Sequence, residues 1–212
     1  RRRVIYMMQV NGDILIRSVL LQAGFVSFLF FGAELGDVTL AANQVLLQFV
    51  YLASYAMDGF VFAAESLVGQ AMGARAVAQL RRGASVTAVW AFGTAFALAA
   101  GFWIMGPFVI DVMAKDPAVQ QAARLYLLHM VAAPLFGALA WMLDGVFIGA
   151  TRTKDMRNMM ILSFLGYCGL VLLLLSSFGN HGLWMAMNGF FILRGISLAL
   201  RYPALERVAA AP

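Results

Sequence analysis

Cysteine, histidine and charge are scarce in this 212-residue sequence, which holds one Cys, two His and only 12% charged residues. The lone Cys168 excludes an internal disulfide framework and a paired-cysteine metal site. Lying in an apolar run, it reads as a free buried thiol. His129 and His181 are far apart in sequence, and neither has a second ligand at metal spacing, so no zinc site is read. Soluble domains carry about 25% charged residues, and the low value here excludes that class. No Ser-His-Asp set, phosphate-binding loop or dinucleotide fingerprint is present. An enzyme, an ATPase engine and an organic cofactor are therefore not expected. Arg1-Arg2-Arg3 is followed by VIYMMQVNGD, which lacks the long apolar core and cleavage site of a signal peptide. The sequence does not begin with Met, so it reads as a fragment or a trimmed form.

Apolar residues fill the space that charge leaves: 63% of the chain is hydrophobic. That composition makes an all-α integral membrane protein, because helices satisfy their own backbone groups in lipid. A span needs about 20 mainly apolar residues. Six candidates fit, at about 14–33, 40–72, 84–105, 117–150, 159–178 and 183–202. Asp116-Pro117 reads as a helix start, with Asp as N-cap and Pro at the first helical position. The third span is expected to stop before Pro107, the fourth to kink at Pro134, and the sixth to stop at Pro203. Gly179-Asn180-His181-Gly182 reads as a tight turn.

The formal net charge is +5, but the basic residues fall in short clusters between apolar runs. This indicates membrane topology rather than nucleic-acid binding. One side collects Arg1 to Arg3, Arg75, Arg81, Arg82, Arg152, Lys154, Arg157, Arg201 and Arg207. The other has only Lys115 and Arg124, beside Glu34, Asp37, Asp111 and Asp116. By the positive-inside rule both termini are cytoplasmic, which requires an even number of spans.

The second span carries a polar seam. Gln44, Tyr51, Asp58 and Glu65 recur every seven residues, and Gln48 and Tyr55 interleave at helical offsets. One face of this helix is thus expected to look into a polar interior and the other toward lipid. Asp58-Gly59 is a plausible bend. Three acids (Asp58, Glu65, Asp144) and two arginines (Arg17, Arg194) fall within spans. Each charge at mid-membrane costs about 2.5–3.5 kcal/mol on insertion scales, so such residues have partners or a task. Arg17 and Arg194 either pair with Glu65 and Asp144 or snorkel to the interface. Pairing leaves one carboxyl without a cation. Asp58, the deepest of the three, is the candidate to take up a proton; the alternative is a neutral, hydrogen-bonded acid at the bend. Gly69-x-x-x-Gly73 and Gly145-x-x-x-Gly149 permit close helix contact. Asp58-Gly59-Phe60-Val61-Phe62-Ala63-Ala64 also echoes Asp144-Gly145-Val146-Phe147-Ile148-Gly149-Ala150, for which local convergence on a packing motif is the simpler account.

Four runs carry a family resemblance: NGDILIRSVLLQ (11–22), YAMDGFVFAAESLVGQAMGAR (55–75), LDGVFIGATRTKDMRN (143–158) and GNHGLW (179–184). Together they resemble the second half of DinF-like members of the MATE family, the multidrug and toxic compound extrusion transporters. The resemblance implies one six-helix lobe of a twelve-helix transporter, with an N-terminal lobe as partner. It implies a secondary antiporter in a bacterial inner membrane, exporting small organic, often cationic or amphiphilic compounds in exchange for protons or sodium. It implies Asp58, Glu65 and Asp144 as candidate coupling acids. Gln44, Gln48, Tyr51, Tyr55, Arg17 and Arg194 become candidates for the cavity or for charge pairing. Within the same superfamily a lipid-linked precursor flippase is the alternative. From a different class comes a non-transporting membrane scaffold or half-subunit.

Overall fold

The computed structural model describes residues 2–210, with side chains placed from residue 4. Arg1, Ala211 and Pro212, and the side chains of Arg2 and Arg3, lie outside that description, so their part in the charge count lies outside it too. The described residues are helical almost throughout: α1 (Arg2–Glu34), α2 (Asp37–Gly73), α3 (Val77–Met113), α4 (Pro117–Gly149) and α5 (Thr153–Ala210). All five are long and apolar enough to cross a membrane. The last, 58 residues long, is broken at Gly179, which has φ 53 and ψ −131. A left-handed residue of this kind reverses the chain, and only glycine adopts it without a steric cost. The arms 153–178 and 180–210 are the fifth and sixth expected spans.

The helices overrun the expected spans. α1 starts at Arg2 rather than near residue 14, and α3 runs from Val77 to Met113 rather than from 84 to 105. Hydropathy marks only the apolar stretch, whereas helical hydrogen bonding continues into polar flanks at no extra cost. Pro107 and Pro203 lie inside helices rather than ending them, and α4 stays helical through Pro134. Beyond Pro203, Leu205 and Ala209 are buried, and Arg81 of α3 holds Glu206 through two bonds of 2.8 Å. Tertiary packing thus outweighs the one hydrogen bond that each proline forfeits. The start of α4 is as expected, with the Asp116 side chain accepting from the Ala118 amide at 2.8 Å and Pro117 in the first turn. No break in helix appears at Asp58-Gly59.

The α2–α3 and α4–α5 turns, at the arginine-rich end, share one geometry. Arg75 and Thr151 both take φ 54. Ala76 N–H reaches back to the Ala71 carbonyl, and Arg152 N–H to the Phe147 carbonyl, each at 2.9 Å. This is the left-handed helix closure that satisfies the last free carbonyls. The sequence echo does not follow it: Asp58 lies 17 residues before Arg75, and Asp144 only 7 before Thr151. The two acids therefore sit at different depths, and the echo is local.

α4 is the most enclosed helix, with 67% of its most apolar window buried against 17–33% elsewhere. Its glycines explain how. A Cβ at Gly145 would run into the carbonyl oxygen of Val61, and one at Gly149 into that of Glu65, so α4 lies backbone to backbone on α2. On α3, Ala84, Ala91, Ala95 and Ala99 form the buried stripe, while Val89, Trp90, Phe96, Trp103 and Ile104 point outward.

Candidate functional site

The α4 acid is the centre of a buried ion cluster. Arg17 of α1 and Arg194 of α5 both donate through Nη2 to Oδ2 of Asp144, Arg194 at 2.6 Å. The side chains of Asp144 and Arg194 are 3% and 1% exposed, and that of Arg17 is 17%. Arg194 also lies over the Phe190 ring at 5.8 Å. Asp144 Oδ1, Arg17 Nε, and Nε and Nη1 of Arg194 have no partner among the described residues. Neither arginine snorkels. The expectation that they divide between Glu65 and Asp144 is corrected: both go to Asp144, which is buried in the lobe within reach of α1 and α5, while Glu65 is half-buried at the α2–α4 edge and forms no ion pair among the described residues. Consequently Asp58 and Glu65 both lack a cation, rather than one of them; neither forms an ion pair among the described residues.

The polar seam is a physical face of α2. Ala42, Leu46, Val50, Ala53, Met57, Ala64 and Val68 pack into the lobe. Gln44, Gln48 and Tyr55 are exposed on the opposite side, with Tyr51, Asp58 and Glu65 half-buried beside them. Tyr51 is braced by Phe25 of α1, with ring centroids 5.3 Å apart. Gln48 borders an apolar groove of about 330 Å³ with Phe49 and Leu52 of α2 and Gly101, Phe102 and Met105 of α3. Glu65 lines a crevice of about 460 Å³ with Ser66, Gln70 and Thr151. The structure thus brings Arg17, Asp144 and Arg194 together and keeps the α2 residues apart from them.

Sequence reasoning missed three polar knots. Asp13 is buried, accepting from Arg157 at 2.5 Å and from the Thr153 hydroxyl at 3.1 Å, which ties α1 to the start of α5. At the other end Asn43 exchanges two bonds with Asn180, at 2.7 and 2.9 Å, and accepts from Trp184 Nε1 at 2.9 Å. Near that end His129 and His181 meet, with Nε2 and Nδ1 3.0 Å apart. An Asn inside an apolar helix was the available signal for the second; for the first there was only an Asp in the run just ahead of the apolar part of α1. For the histidines, only their common membrane side pointed to it.

These features can be set beside known proteins. The MatE family model matches residues 14–175. The chain is 38% identical over 199 residues to the DNA damage-inducible protein F of Escherichia coli (strain K12), covering 91% of this chain and 42% of that protein. It is 29% identical over 182 residues to the probable multidrug resistance protein NorM of Pseudomonas aeruginosa, covering 79% of this chain and 36% of the relative. The fold matches the crystal structure of the Vibrio cholerae MATE transporter VcmN in the bent form. There the TM-score is 0.84 at 16% identity, over 93% of this chain and 45% of that one. The chain spans less than half the length of the curated relatives it matches. An all-helical multi-pass lobe, the DGVFIGATRT run at the end of α4 and a family model that covers most of the sequence lead to one assignment: this chain belongs to the MatE family.

Proposed function

We propose that this chain is the C-terminal lobe of a secondary antiporter. It exports small organic, cationic or amphiphilic compounds from bacteria in exchange for protons or sodium. A second six-helix lobe covers the seam face of α2, and the substrate passes between the lobes. The arginine-rich end, with both termini, faces the cytoplasm. One observation carries this reading: among the described residues Asp58 and Glu65 form no ion pair, and they sit half-buried on a face of a spanning helix that the rest of the lobe leaves unpacked.

Carboxyls in that setting change charge state without dismantling the fold. Asp144 is in the opposite position. Protonating it would strand two guanidinium ions inside the lobe, so it serves as a structural anchor rather than an ion carrier. Coupling then rests on Asp58, with Glu65 assisting. Bound substrate and bound proton bias the alternating-access equilibrium through their different affinities for its two states. A precursor flippase would need cations turned toward the cavity to hold pyrophosphate, and Arg17 and Arg194 are instead turned onto Asp144.

The test is substrate-driven proton and sodium flux in proteoliposomes of the full-length protein. Asp58→Asn is expected to abolish coupled flux, and Glu65→Gln to reduce it several-fold, both at normal expression. Unaltered coupling in Asp58→Asn would overturn the assignment.

A further inference from the structure

The coupling acids do not account for the two histidines. His129 lies on α4, twelve residues from its start, and His181 lies two residues past the Gly179 turn. Their facing nitrogens are 3.0 Å apart and their ring centroids 5.2 Å apart. Those values place both nitrogens close to the line joining the rings. One lone pair therefore points at the other ring's N–H, the arrangement of a shared proton. A metal would need the two lone pairs to converge on a third point about 2.0–2.1 Å from each nitrogen, and these do not converge.

Both histidines are half-buried and are tied into the packing from α4 and from the second arm of α5. The backbone carbonyl of His129 accepts from Asn188 Nδ2 at 3.0 Å, so the second arm of α5 grips that residue by its main chain as well as by its ring. Asn188 is 6% exposed, and its Oδ1 has no partner among the described residues. Tyr126, one turn before His129 on α4, meets the His181 ring edge-on at 4.8 Å. Of the other charged groups near this end of α3 and α4, Arg124 binds Asp111 and Asp116 caps α4, while Lys115 on the connecting turn is exposed and forms no ion pair among the described residues, so none of them offers a carboxylate to the pair. Neither histidine forms an ion pair with a carboxylate, including Glu34 and Asp37 of the α1–α2 turn, among the described residues.

We infer that His129 and His181 form a proton-binding latch between α4 and the turn of α5. On the orientation proposed above, the latch sits toward the external face of the lobe. The neutral pair shares one hydrogen bond. One added proton keeps that bond, with an imidazolium donating to a neutral imidazole. A second proton leaves two donors and no acceptor, and sets two like charges against each other where no carboxylate offsets them. The ring contact then parts. The Asn188 bond to the His129 carbonyl does not titrate and remains as the pivot. Imidazoles titrate across the range between neutral pH and an acidified exterior, so the latch responds where an inner-membrane protein meets its surroundings.

The experiment reads the latch directly, without transport. Nitroxides are placed at the exposed positions Leu125 and Phe178 of the full-length protein in nanodiscs, with Cys168 and any other cysteines replaced by Ser. Electron–electron distance distributions are then recorded from pH 7.5 to 5. Wild type is expected to lengthen and broaden by a few ångströms toward the acid end of that range, because the second proton enters against the like charge of the first. His129→Gln and His181→Gln, which keep a hydrogen-bonding group and remove one titration, are expected to lose the response. If one variant does not fold, the other answers alone. A wild-type distance that does not change with pH overturns the latch. So does a response that persists in either folded variant. Zinc at pH 7.5 is expected to leave the distances unchanged; a zinc-induced shift that vanishes in His129→Gln would make the pair a metal site and overturn the shared-proton account.

Discussion

Asp144 and Asp58 are the same residue type in two helices that lie against each other, and the fold treats them in opposite ways. Asp144 lies in the core with two guanidinium groups on one carboxylate oxygen. Asp58 lies half-buried on a face that the lobe leaves unpacked, with no ion pair among the described residues. The difference follows from which side of each helix the small residues occupy. Gly145 and Gly149 let α4 sink onto α2, which draws the neighbouring Asp144 inward to meet α1 and α5. On α2 the packed face is Ala, Leu, Val and Met, and the polar seam is what remains. On the function proposed above, a membrane acid serves as an anchor or a carrier according to what its neighbours supply, and its depth alone does not decide between them.

The largest effect that would break this comparison is at Asp144. Replacing it with Ala leaves two buried cations without a counter-ion and is expected to cost about 3–5 kcal/mol. Reversible unfolding of the purified full-length protein measures this. Exchanging all three charges together, as Arg17→Met, Asp144→Leu and Arg194→Met, is expected to recover most of the loss, since a well-packed apolar set replaces a buried ion cluster at little cost. A loss below about 1 kcal/mol for the single change would mean that the cluster does not hold α4 in place. Next comes the helix contact itself. Gly145→Ala forces a methyl group into the Val61 carbonyl and is expected to destabilise by about 1–3 kcal/mol. A Cβ at Gly59 meets nothing within 4 Å, so Gly59→Ala is expected to stabilise by about 0.5–1 kcal/mol through helix propensity. Opposite signs in the same unfolding assay would confirm that α2 packs on α4 at the Gly145 contact and is unpacked at Gly59.

Much of this was legible in the sequence, for definable reasons. Hydropathy located the six helical segments, and local turn and cap residues located the Gly179 break and the Asp116-Pro117 start, since each depends on residues close in the chain; the turn expected over Gly179 to Gly182 is a single non-helical residue, with helix resuming at Asn180. The 3.6-residue period set the seam of α2 apart as one face, but the opposite face, expected to look toward lipid, packs into the lobe through Ala42, Leu46, Val50, Met57 and Val68. What the period cannot say is which neighbour each face meets. Arg17 and Asp144 are 127 positions apart, and nothing local pairs Arg17 with Asp144 rather than with Glu65. Asp13 was passed over because it precedes the apolar part of α1, although the helix itself begins at Arg2. Asn43 was passed over because its neighbour Gln44 fits the heptad spacing, whereas Asn43 is the polar residue on the packed face. The His129–His181 contact joins two helices through a turn, and spacing arguments look only along one.

The smallest effects on stability sharpen the comparison most. Trp184→Phe removes the indole N–H from Asn43 and keeps the ring that packs edge-on against Phe28, so its loss is expected to be about 1 kcal/mol, the net value of one hydrogen bond. Asp58→Asn and Glu65→Gln are expected to lie within about 0.5 kcal/mol of wild type, because neither carboxylate holds a partner whose charge would be stranded. The two ranked lists should then run in opposite order. In the unfolding assay Asp144 ranks first and Asp58 last. In a flux assay on Asp58→Asn and on the triple Arg17, Asp144 and Arg194 exchange, Asp58 should rank first, and the triple exchange should retain coupling because its charges serve the fold. Loss of coupling in a stable triple variant would return Asp144 to the transport step and undo the division between anchor and carrier. Equal stability losses at Asp58 and Asp144 would undo it from the other side, by giving the α2 acid a structural partner that the lobe alone does not contain.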